Sequence, residues 1–349
     1  FSNLFRSSFR SNNMGGCCVS TEQQKGSKNL ERRTTKVEIA ISQEEAFLNK
    51  SLSRMPSSAL GAPEVWVQHL LLSGVAVDAD VRHTVANAIG SVHYNFPGAM
   101  PDRQIVTLLT NALKKKIKYW SVENTLLGTS FCPDEISNEK GDLPQLLHEM
   151  FGKVFPFSGL AGVPFAGRTG FKAFASHVPK NGTVLIVYGP HVSISPDGIV
   201  GKFKRPGQDH LTSACGACIG ALSIIEKNTY DMPSPGSIEY EEDFQMNYII
   251  QELKARLEQI IDHPKGKQVG LVFQAFKVAQ KLIRTIIDVD VLDGAPVILL
   301  GGIQINMPDP LPDFYLPQCF RRFTIENKEG ESWLDMLGGG EKALLTDLQ

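Results

Sequence analysis

Apolar residues recur at helical spacing over the first third of the chain. They fall three or four positions apart at residues 65–71 and 81–89, and again at residues 105–117, behind a proline and an aspartate that favour a helix start. This period places the apolar side chains on one face of each helix. The pattern therefore predicts a helical N-terminal region over residues 42–120.

Beyond residue 120 the pattern changes to short runs of β-branched and aromatic residues separated by turn residues. The runs predict strands at residues 126–131, 183–188, 192–195, 199–203 and 296–305. Helical periodicity returns at residues 210–227, 243–261 and 270–287. The last predicted strand is almost continuously apolar, as expected of a strand that is buried on both faces. Strands interspersed with helices predict an α/β fold, with a central sheet flanked by helices.

The amino-acid composition excludes several classes of protein. Of the 349 residues, 42% are hydrophobic and 21% are charged, which is typical of a chain that folds into a globular structure. The net charge of -2 lacks the positive excess that nucleic-acid binding normally requires, so no nucleic-acid partner is expected. No apolar run reaches the length of a membrane-spanning helix, so no membrane span is predicted.

The two ends of the chain differ from the middle. Residues 1–21 contain five serines, two arginines and no acidic residue, a profile typical of an organelle transit peptide. We therefore predict a targeting or disordered tail at residues 1–41. The α/β core is predicted at residues 121–330, and residues 331–349, which contain three consecutive glycines, are predicted as a second tail.

Three side chains at the ends of predicted elements form a candidate metal site. Cys132 follows a predicted strand, His191 follows another strand and a tight turn, and Cys215 lies near the start of a helix. Zn²⁺ prefers thiolate and imidazole ligands, and three of them leave a fourth position for water. Spacings of 59 and 24 residues match no compact zinc motif, so each cysteine could also be a small apolar core residue.

A carboxylate and two further thiols complete the candidate chemistry. Asp134 lies two residues after Cys132, so both side chains face the same side of an extended segment. Cys215 and Cys218 form a C-x-x-C pair, which in isolation is typical of a redox dithiol. We interpret Cys218 as a core residue, and the sequence identifies no partner for Cys319.

Five separated blocks of sequence carry a resemblance to a known family. They are residues 128–136, 166–171, 189–195, 213–217 and 299–305. Taken in order, these blocks resemble the limiting-CO2-inducible protein B family, the theta class of carbonic anhydrases, over residues 42–325. The resemblance implies an α/β fold related to that of beta-class carbonic anhydrases, a dimer, and a carbon-dioxide-concentrating role in an algal plastid. It also implies a zinc ion held by Cys132, His191 and Cys215.

The resemblance extends to the residues around the metal. Zinc with three protein ligands makes hydroxide available at neutral pH, and hydroxide attacks carbon dioxide to give bicarbonate. Asp134 is expected to orient the hydroxide, and an arginine is expected to hold Asp134 away from the metal. Beta-class enzymes carry this arginine two residues after the aspartate, where this chain has Ile136. By the resemblance of its glycine-rich block, Arg168 is assigned the role, and the nearby His177 is either a proton shuttle or a structural residue.

The sequence therefore predicts a zinc-dependent carbonic anhydrase with Asp134 and Arg168 as catalytic residues. It also predicts a chloroplast location and a homodimer, or a hetero-oligomer with a related subunit. One alternative is a catalytically silent or regulated assembly protein of the carbon-concentrating mechanism, because a site closed by Asp134 on the zinc uses the same residues. Another is a thiol redox protein, for which Cys132 and His191 would be dispensable.

Overall fold

The computed structural model describes residues 60–228 and 230–338. The predicted tail at residues 1–41, the start of the predicted helical region at residues 42–59, and residues 339–349 lie outside these ranges. Within them the helices are α1 Pro63–Leu72, α2 Ala79–Asn95, α3 Asp102–Lys116, α4 Leu143–Phe151, α5 Gly167–Ala175, α6 Gly216–Lys227, α7 Ile238–Glu242, α8 Phe244–Lys254, α9 Leu257–Ile261 and α10 Lys267–Ile286. Of these helices, none combines the length and the hydropathy needed to cross a membrane.

The main sheet has eight strands, and a separate pair lies outside it. The strands are β1 Met100–Pro101, β2 Thr125–Phe131, β3 Val154–Pro156, β4 Thr183–Gly189, β5 His191–Ser193, β6 Lys202–Phe203, β7 Thr212–Ser213, β8 Val297–Asn306, β9 Phe314–Phe323 and β10 Glu331–Ser332. The order across the main sheet is β1-β9-β8-β4-β2-β3, with β5 beside β8 and β10 beside β9. Strands β2, β3, β4, β5 and β8 pair in parallel, whereas β9 pairs with β8 antiparallel.

Alternate side chains of β4 enter two apolar cores, one on each face of the sheet. Val184, Ile186 and Tyr188 pack with residues of α1, α2 and α10. Leu185 and Val187 pack instead with residues of α3 and α4. All seven residues of β4 are buried, as expected of a strand that helices cover on both faces. The predicted fold, a central sheet flanked by helices, is confirmed.

Local sequence signals account for the first helices. Pro63 stands in the first turn of α1, where its missing N–H is not needed. The side chain of Asp78 caps α2 by accepting a hydrogen bond from the Val81 N–H at 2.9 Å. The buried face of α1 includes Trp66, whose indole N–H donates to the Leu60 carbonyl at 2.7 Å. These helices therefore belong to the same core as the sheet.

The carboxyl ends of β2 and β4 meet at one edge of the sheet. The register pairs Phe131 with Gly189, so the residues that follow, Cys132 and His191, emerge side by side. A Cβ atom at Gly189 would collide with the carbonyl oxygen of Gly302, so glycine is required for this approach of β4 to β8. The sheet thus sets the positions of two candidate metal ligands.

The strand β9 is the largest departure from the predicted pattern, in which residues 296–305 form the last strand. It pairs with β8 along nearly its whole length. Pro317 lies opposite Gly302, where the register shifts between Gly301 and Gly302. Such an irregularity accommodates a proline, which has no N–H to donate to the neighbouring strand. Because proline is unusual inside a strand, the sequence pattern does not predict β9.

Three predicted boundaries also change. Residues 331–338, predicted as tail, are folded, because Trp333 is buried with its ring centroid 5.6 Å from that of Phe320. The predicted strand at residues 199–203 shortens to β6, which within the described part of the chain pairs with β7 and lies outside the main sheet. The predicted helix at residues 243–261 divides into α8 and α9. At the division, Nη1 of Arg256 donates a hydrogen bond to the Glu252 carbonyl oxygen at 2.6 Å.

Candidate metal centre

Three side chains from separate elements converge at the carboxyl edge of the sheet. Cys132 follows β2, His191 begins β5, and Cys215 is the residue before α6. One ligand atom from each lies within 4.8 Å of the others, and all three residues are buried. The structure therefore brings together the three residues that the sequence predicts as metal ligands.

The two thiols of this group contact each other, with their Sγ atoms 3.8 Å apart. The hydrogen bond with Cys215 and the burial of the thiol raise the pKa of Cys132. For Cys215, the contact with Cys132 lowers the pKa, but the contact with Cys218 and burial outweigh it and raise the pKa overall. Both thiols are therefore protonated at neutral pH in the metal-free chain, and metal binding must release their protons.

One ring nitrogen of His191 is held by a hydrogen bond, and the other faces the thiols. Its Nδ1 atom lies 2.8 Å from Oδ1 of Asn306. Its Nε2 atom is buried and has no hydrogen-bond partner among the described residues. A buried nitrogen without a partner is costly, and a bound cation would remove that cost. Sulfur and imidazole donors suit Zn²⁺ better than Mg²⁺ or Ca²⁺, so these residues fit the predicted zinc.

Asp134 borders this group on its more exposed side. Its Oδ2 atom lies 3.6 Å from Nε2 of His191, and its side chain is 13% exposed, against 1% for His191. The same carboxylate begins a short 3-10 turn, Glu135–Ser137, by accepting a hydrogen bond from the Ile136 N–H. The carboxylate is therefore held beside the candidate ligands while part of it reaches solvent.

Arg205, and not Arg168, donates hydrogen bonds to the carboxylate of Asp134. The Nη2 atom of Arg205 lies 3.0 and 3.3 Å from the two carboxylate oxygens. Arg168 lies on α5, and its Nε atom donates to the Thr285 carbonyl at 3.3 Å. The prediction that Arg168 positions Asp134 is wrong, because Arg168 instead caps a free carbonyl at the C-terminal end of α10, where a cation is favoured.

Arg205 lies between β6 and β7 and has several partners besides Asp134. Its Nε atom donates to Oε1 of Glu135 at 2.6 Å, and its Nη1 atom donates to the Thr212 hydroxyl and the Ser213 carbonyl. The hydrogen bond from Arg205 lowers the pKa of Glu135 to about 2. Arg205 stands 71 residues after Asp134, and no spacing rule links the two, so the sequence carries no signal that identifies it.

Apolar side chains enclose the thiols on the interior side. Cys132 and Cys215 belong to a buried apolar cluster with residues before α5 and on α6, α8 and α10. Ala161, Val163 and Leu222 are members of this cluster, and so is Cys218, which is 3% exposed. The interior side of the site is therefore lined by apolar side chains. The remaining candidates lie elsewhere, because His177 is exposed after α5 and Cys319 is buried in β9.

A second group of ionisable side chains, the carboxyl cluster, consists of Asp102, Asp142 and Asp313. One oxygen of each lies within 4.8 Å of the others. Burial raises the pKa of Asp102 to about 8 and that of Asp142 to about 7, and it also raises the pKa of Asp313. The cluster therefore retains protons at neutral pH. Asn306 links it to His191, because the Asn306 amide also donates to Asp313 at 2.6 Å.

Comparisons with known proteins identify the family and the fold. Residues 99–324 match the family described as limiting CO2-inducible proteins B/C, beta carbonic anhydrases. The chain is similar to PtLCIB4, a homolog of the limiting CO2-inducible protein LCIB, with 31% identity and a TM-score of 0.60 over 69% of this chain and 97% of that chain. A histidine-to-alanine mutant of PtLCIB4 gives 29% identity and a TM-score of 0.63, over 71% and 98% of the two chains.

The structure of LCIB itself is a more distant neighbour. It is 22% identical, with a TM-score of 0.50 over 68% of this chain and 98% of that chain, and it supports the fold alone. A comparison with curated protein sequences finds no match.

Proposed function

Because the chain belongs to the family of limiting CO2-inducible proteins B/C, beta carbonic anhydrases, we propose that it is a zinc-dependent carbonic anhydrase that interconverts carbon dioxide and bicarbonate. One observation carries this proposal: Cys132, His191 and Cys215 meet in a buried group in which one ligand atom from each lies within 4.8 Å of the others, and His191 Nε2 has no hydrogen bond among the described residues. Three such ligands are the donor set of a catalytic zinc, which keeps a fourth position open.

The bound zinc would supply a Lewis acid that lowers the pKa of water to about 7. Asp134 is placed to accept a hydrogen bond from the attacking water, because its Oδ2 atom lies 3.6 Å from Nε2 of His191. Arg205 holds both oxygens of that carboxylate, so Asp134 can orient the water without closing the site. Asp134 thus orients the nucleophile, and Arg205 positions Asp134.

The surroundings suit a small apolar substrate. Ala161 and Val163 lie in the same apolar cluster as the two thiols and would accommodate carbon dioxide while limiting the access of water. The water oxygen adds to the carbon, and the products are bicarbonate and one proton. The partly exposed side chain of Asp134 lies between the buried ligands and solvent, which gives that proton a route out.

The test measures zinc content and the rate of carbon dioxide hydration on one purified sample. We expect about one zinc per chain, and a rate that Asp134→Ala lowers by about 100-fold or more while zinc is retained. The matched control is Asp290→Ala, which removes an exposed carboxylate paired with Lys328. Zinc without activity would refute the catalytic proposal, and a folded sample that binds no zinc would refute the metal site as well.

A redox dithiol at Cys215 and Cys218 predicts a different result for one variant. Cys132→Ser removes a proposed metal ligand but leaves the C-x-x-C pair intact. Under our proposal this variant loses zinc and activity together. A dithiol function would survive the change. The dimer and the chloroplast location stay predictions, which light scattering and imaging of the tagged protein would test.

A further inference from the structure

Asn306 joins two buried networks, because both ends of its amide are used. Its Oδ1 atom lies 2.8 Å from Nδ1 of His191 and 3.4 Å from the Ser137 hydroxyl. Its Nδ2 atom donates to the Ile136 carbonyl at 2.8 Å and to Oδ2 of Asp313 at 2.6 Å. Asn306 is 1% exposed, so water does not replace these partners.

The partners of Nδ2 fix which end of the amide faces His191. The Ile136 carbonyl can only accept a hydrogen bond. The Asp313 Oδ2 atom lies on the same side, 2.6 Å from Nδ2, and the Met307 N–H holds the Asp313 side chain by donating to its Oδ1 atom at 2.7 Å. Rotating the Asn306 amide by half a turn would place oxygen against oxygen at the Ile136 carbonyl, whatever the protonation of Asp313. The Oδ1 atom of Asn306 therefore faces His191.

This orientation determines the tautomer of the imidazole. An oxygen that faces Nδ1 requires Nδ1 to carry the proton, and a neutral imidazole then has its lone pair on Nε2. Nε2 is the nitrogen that lacks a hydrogen-bond partner among the described residues. We propose that Asn306, oriented by Asp313 and the Ile136 carbonyl, is a positioning residue that holds His191 in the tautomer able to bind a metal through Nε2.

The inference rests on the proposed metal site, but it can be tested on the metal-free chain. Nitrogen-15 NMR of the full, histidine-labelled protein at pH 8 distinguishes the protonated from the bare ring nitrogen. The His191 signals are assigned by their loss in His191→Ala. We expect Nδ1 protonated and Nε2 bare in the wild type. The opposite tautomer in the wild type would overturn the proposal without any variant being needed.

Two variants at one position separate positioning from packing. Asn306→Ala removes the acceptor, so we expect the proton of His191 to redistribute between the two nitrogens and the affinity for Zn²⁺ to fall about 10- to 100-fold. Asn306→Asp keeps an oxygen opposite Nδ1 when its other oxygen carries a proton and donates to the Ile136 carbonyl, so in this neutral form the wild-type tautomer should return. Zinc affinity is measured by competition with a chromophoric chelator. An unchanged tautomer in Asn306→Ala would refute the proposal.

The carboxyl cluster supplies a matched control. Asp313→Asn keeps the shape but must turn its NH2 group toward either the Met307 N–H or the Asn306 amide, so we expect a mixture of tautomers. Asp142→Asn changes a carboxyl whose hydrogen bond comes from the Glu139 N–H, and it should leave the tautomer unchanged. Equal effects of the two variants would overturn the proposal. A wild type with no carbon dioxide hydration would refute the proposed function but leave the NMR result intact.

Discussion

Two clusters of three ionisable side chains lie within 4.8 Å, the carboxyl cluster and the candidate ligands Cys132, His191 and Cys215, here called the metal group, yet they are built differently. The oxygens of the carboxyl cluster accept hydrogen bonds from the protein itself, including the Leu143 N–H on Asp102 and the Met307 N–H on Asp313. In the metal group the two thiols of Cys132 and Cys215 contact each other, and the Nε2 atom of His191 has no hydrogen bond among the described residues, although Asp134 Oδ2 lies 3.6 Å from it. Each group thus holds one buried atom without a hydrogen bond in the described chain, Asp102 Oδ1 in the carboxyl cluster and His191 Nε2 in the metal group, so the chemistry of the donors and not their proximity distinguishes the two.

The chemistry of the donors follows the same division. The carboxyl cluster accepts hydrogen bonds from N–H groups and holds its own protons, because burial favours the neutral acid. The metal group consists of two thiols and an imidazole, which bind Zn²⁺ strongly once they lose their protons. We infer that the carboxyl cluster makes the stability of the fold depend on pH and that the metal group serves a ligand.

The largest effect is expected at the metal group itself. Cys215→Ser replaces a thiolate with a weak ligand, so the affinity for zinc should fall by roughly 100-fold or more, and hydration activity should disappear with it. Zinc content after dialysis against a chelator measures the loss. The control is Cys319→Ser, which changes a buried thiol in β9 that is not part of the group. Equal zinc retention in both variants would contradict the assignment.

The next effect concerns the arginine that contacts Asp134. Arg205→Ala removes two hydrogen bonds from the carboxylate, which is then free to move onto the metal position. We expect the hydration rate to fall about 100-fold with zinc retained. Arg168→Ala is the matched control and should change the rate by less than about twofold, because Arg168 caps α10. Activity lost in Arg168→Ala but kept in Arg205→Ala would show that Arg168, and not Arg205, positions Asp134.

The carboxyl cluster should determine how stability depends on pH. The pKa of Asp102 rises from 3.8 in the unfolded chain to about 8 in the folded protein. Between these values the folded protein holds a proton that the unfolded chain has lost, so the free energy of unfolding falls as pH rises toward 8. Asp102→Asn cannot ionise. We expect this variant to be more stable than the wild type at pH 9, by on the order of 2 kcal/mol.

Denaturant unfolding at pH 5, 7 and 9 measures that difference. The control is Asp290→Asn at an exposed position, which should follow the wild-type pH profile. If Asp102→Asn lost as much stability between pH 5 and pH 9 as the wild type, the cluster would not be the source of the pH dependence.

The smallest effect is expected at the exposed partner of Arg205. Glu135 is bonded to Arg205 at 2.6 Å, but its side chain is 70% exposed. Solvent weakens such a pair, and Arg205 keeps its bonds to Asp134. Glu135→Gln should therefore change the hydration rate by less than about twofold. A fall as large as that of Arg205→Ala would mean that Glu135, and not Asp134, is the important partner.

The main strands were predictable because of how they are buried. β4 and β8 are covered on both faces, so their sequences are nearly continuous apolar runs, which are easy to recognise. β9 was missed because Pro317 and the pair Arg321 and Arg322 interrupt its apolar pattern. That strand depends on its pairing with β8 and on the irregularity beside Gly302, which no local signal reveals.

The metal group was predictable through the family resemblance. Cys132, His191 and Cys215 each lie at the end of a recognisable element, which permits them to converge, but their spacing alone left a core role for each cysteine open. Arg205 lies in a loop, and its place depends on how that loop folds back onto Asp134. Asn306 lies at the end of a strand whose apolar character gives no hint that it contacts His191. Residues that act through tertiary hydrogen bonds leave no period or spacing in the sequence.

Because β2 pairs with β4, the metal group forms only when these two strands are in the correct register. Cys132 and His191 meet only while Phe131 is paired with Gly189. Successive side chains of a strand point to opposite faces, so a slip of one residue would turn Cys132 away from the imidazole. Stoichiometric zinc uptake by a refolded sample would then report the native alignment of these two strands, because a misaligned pair does not supply both ligands.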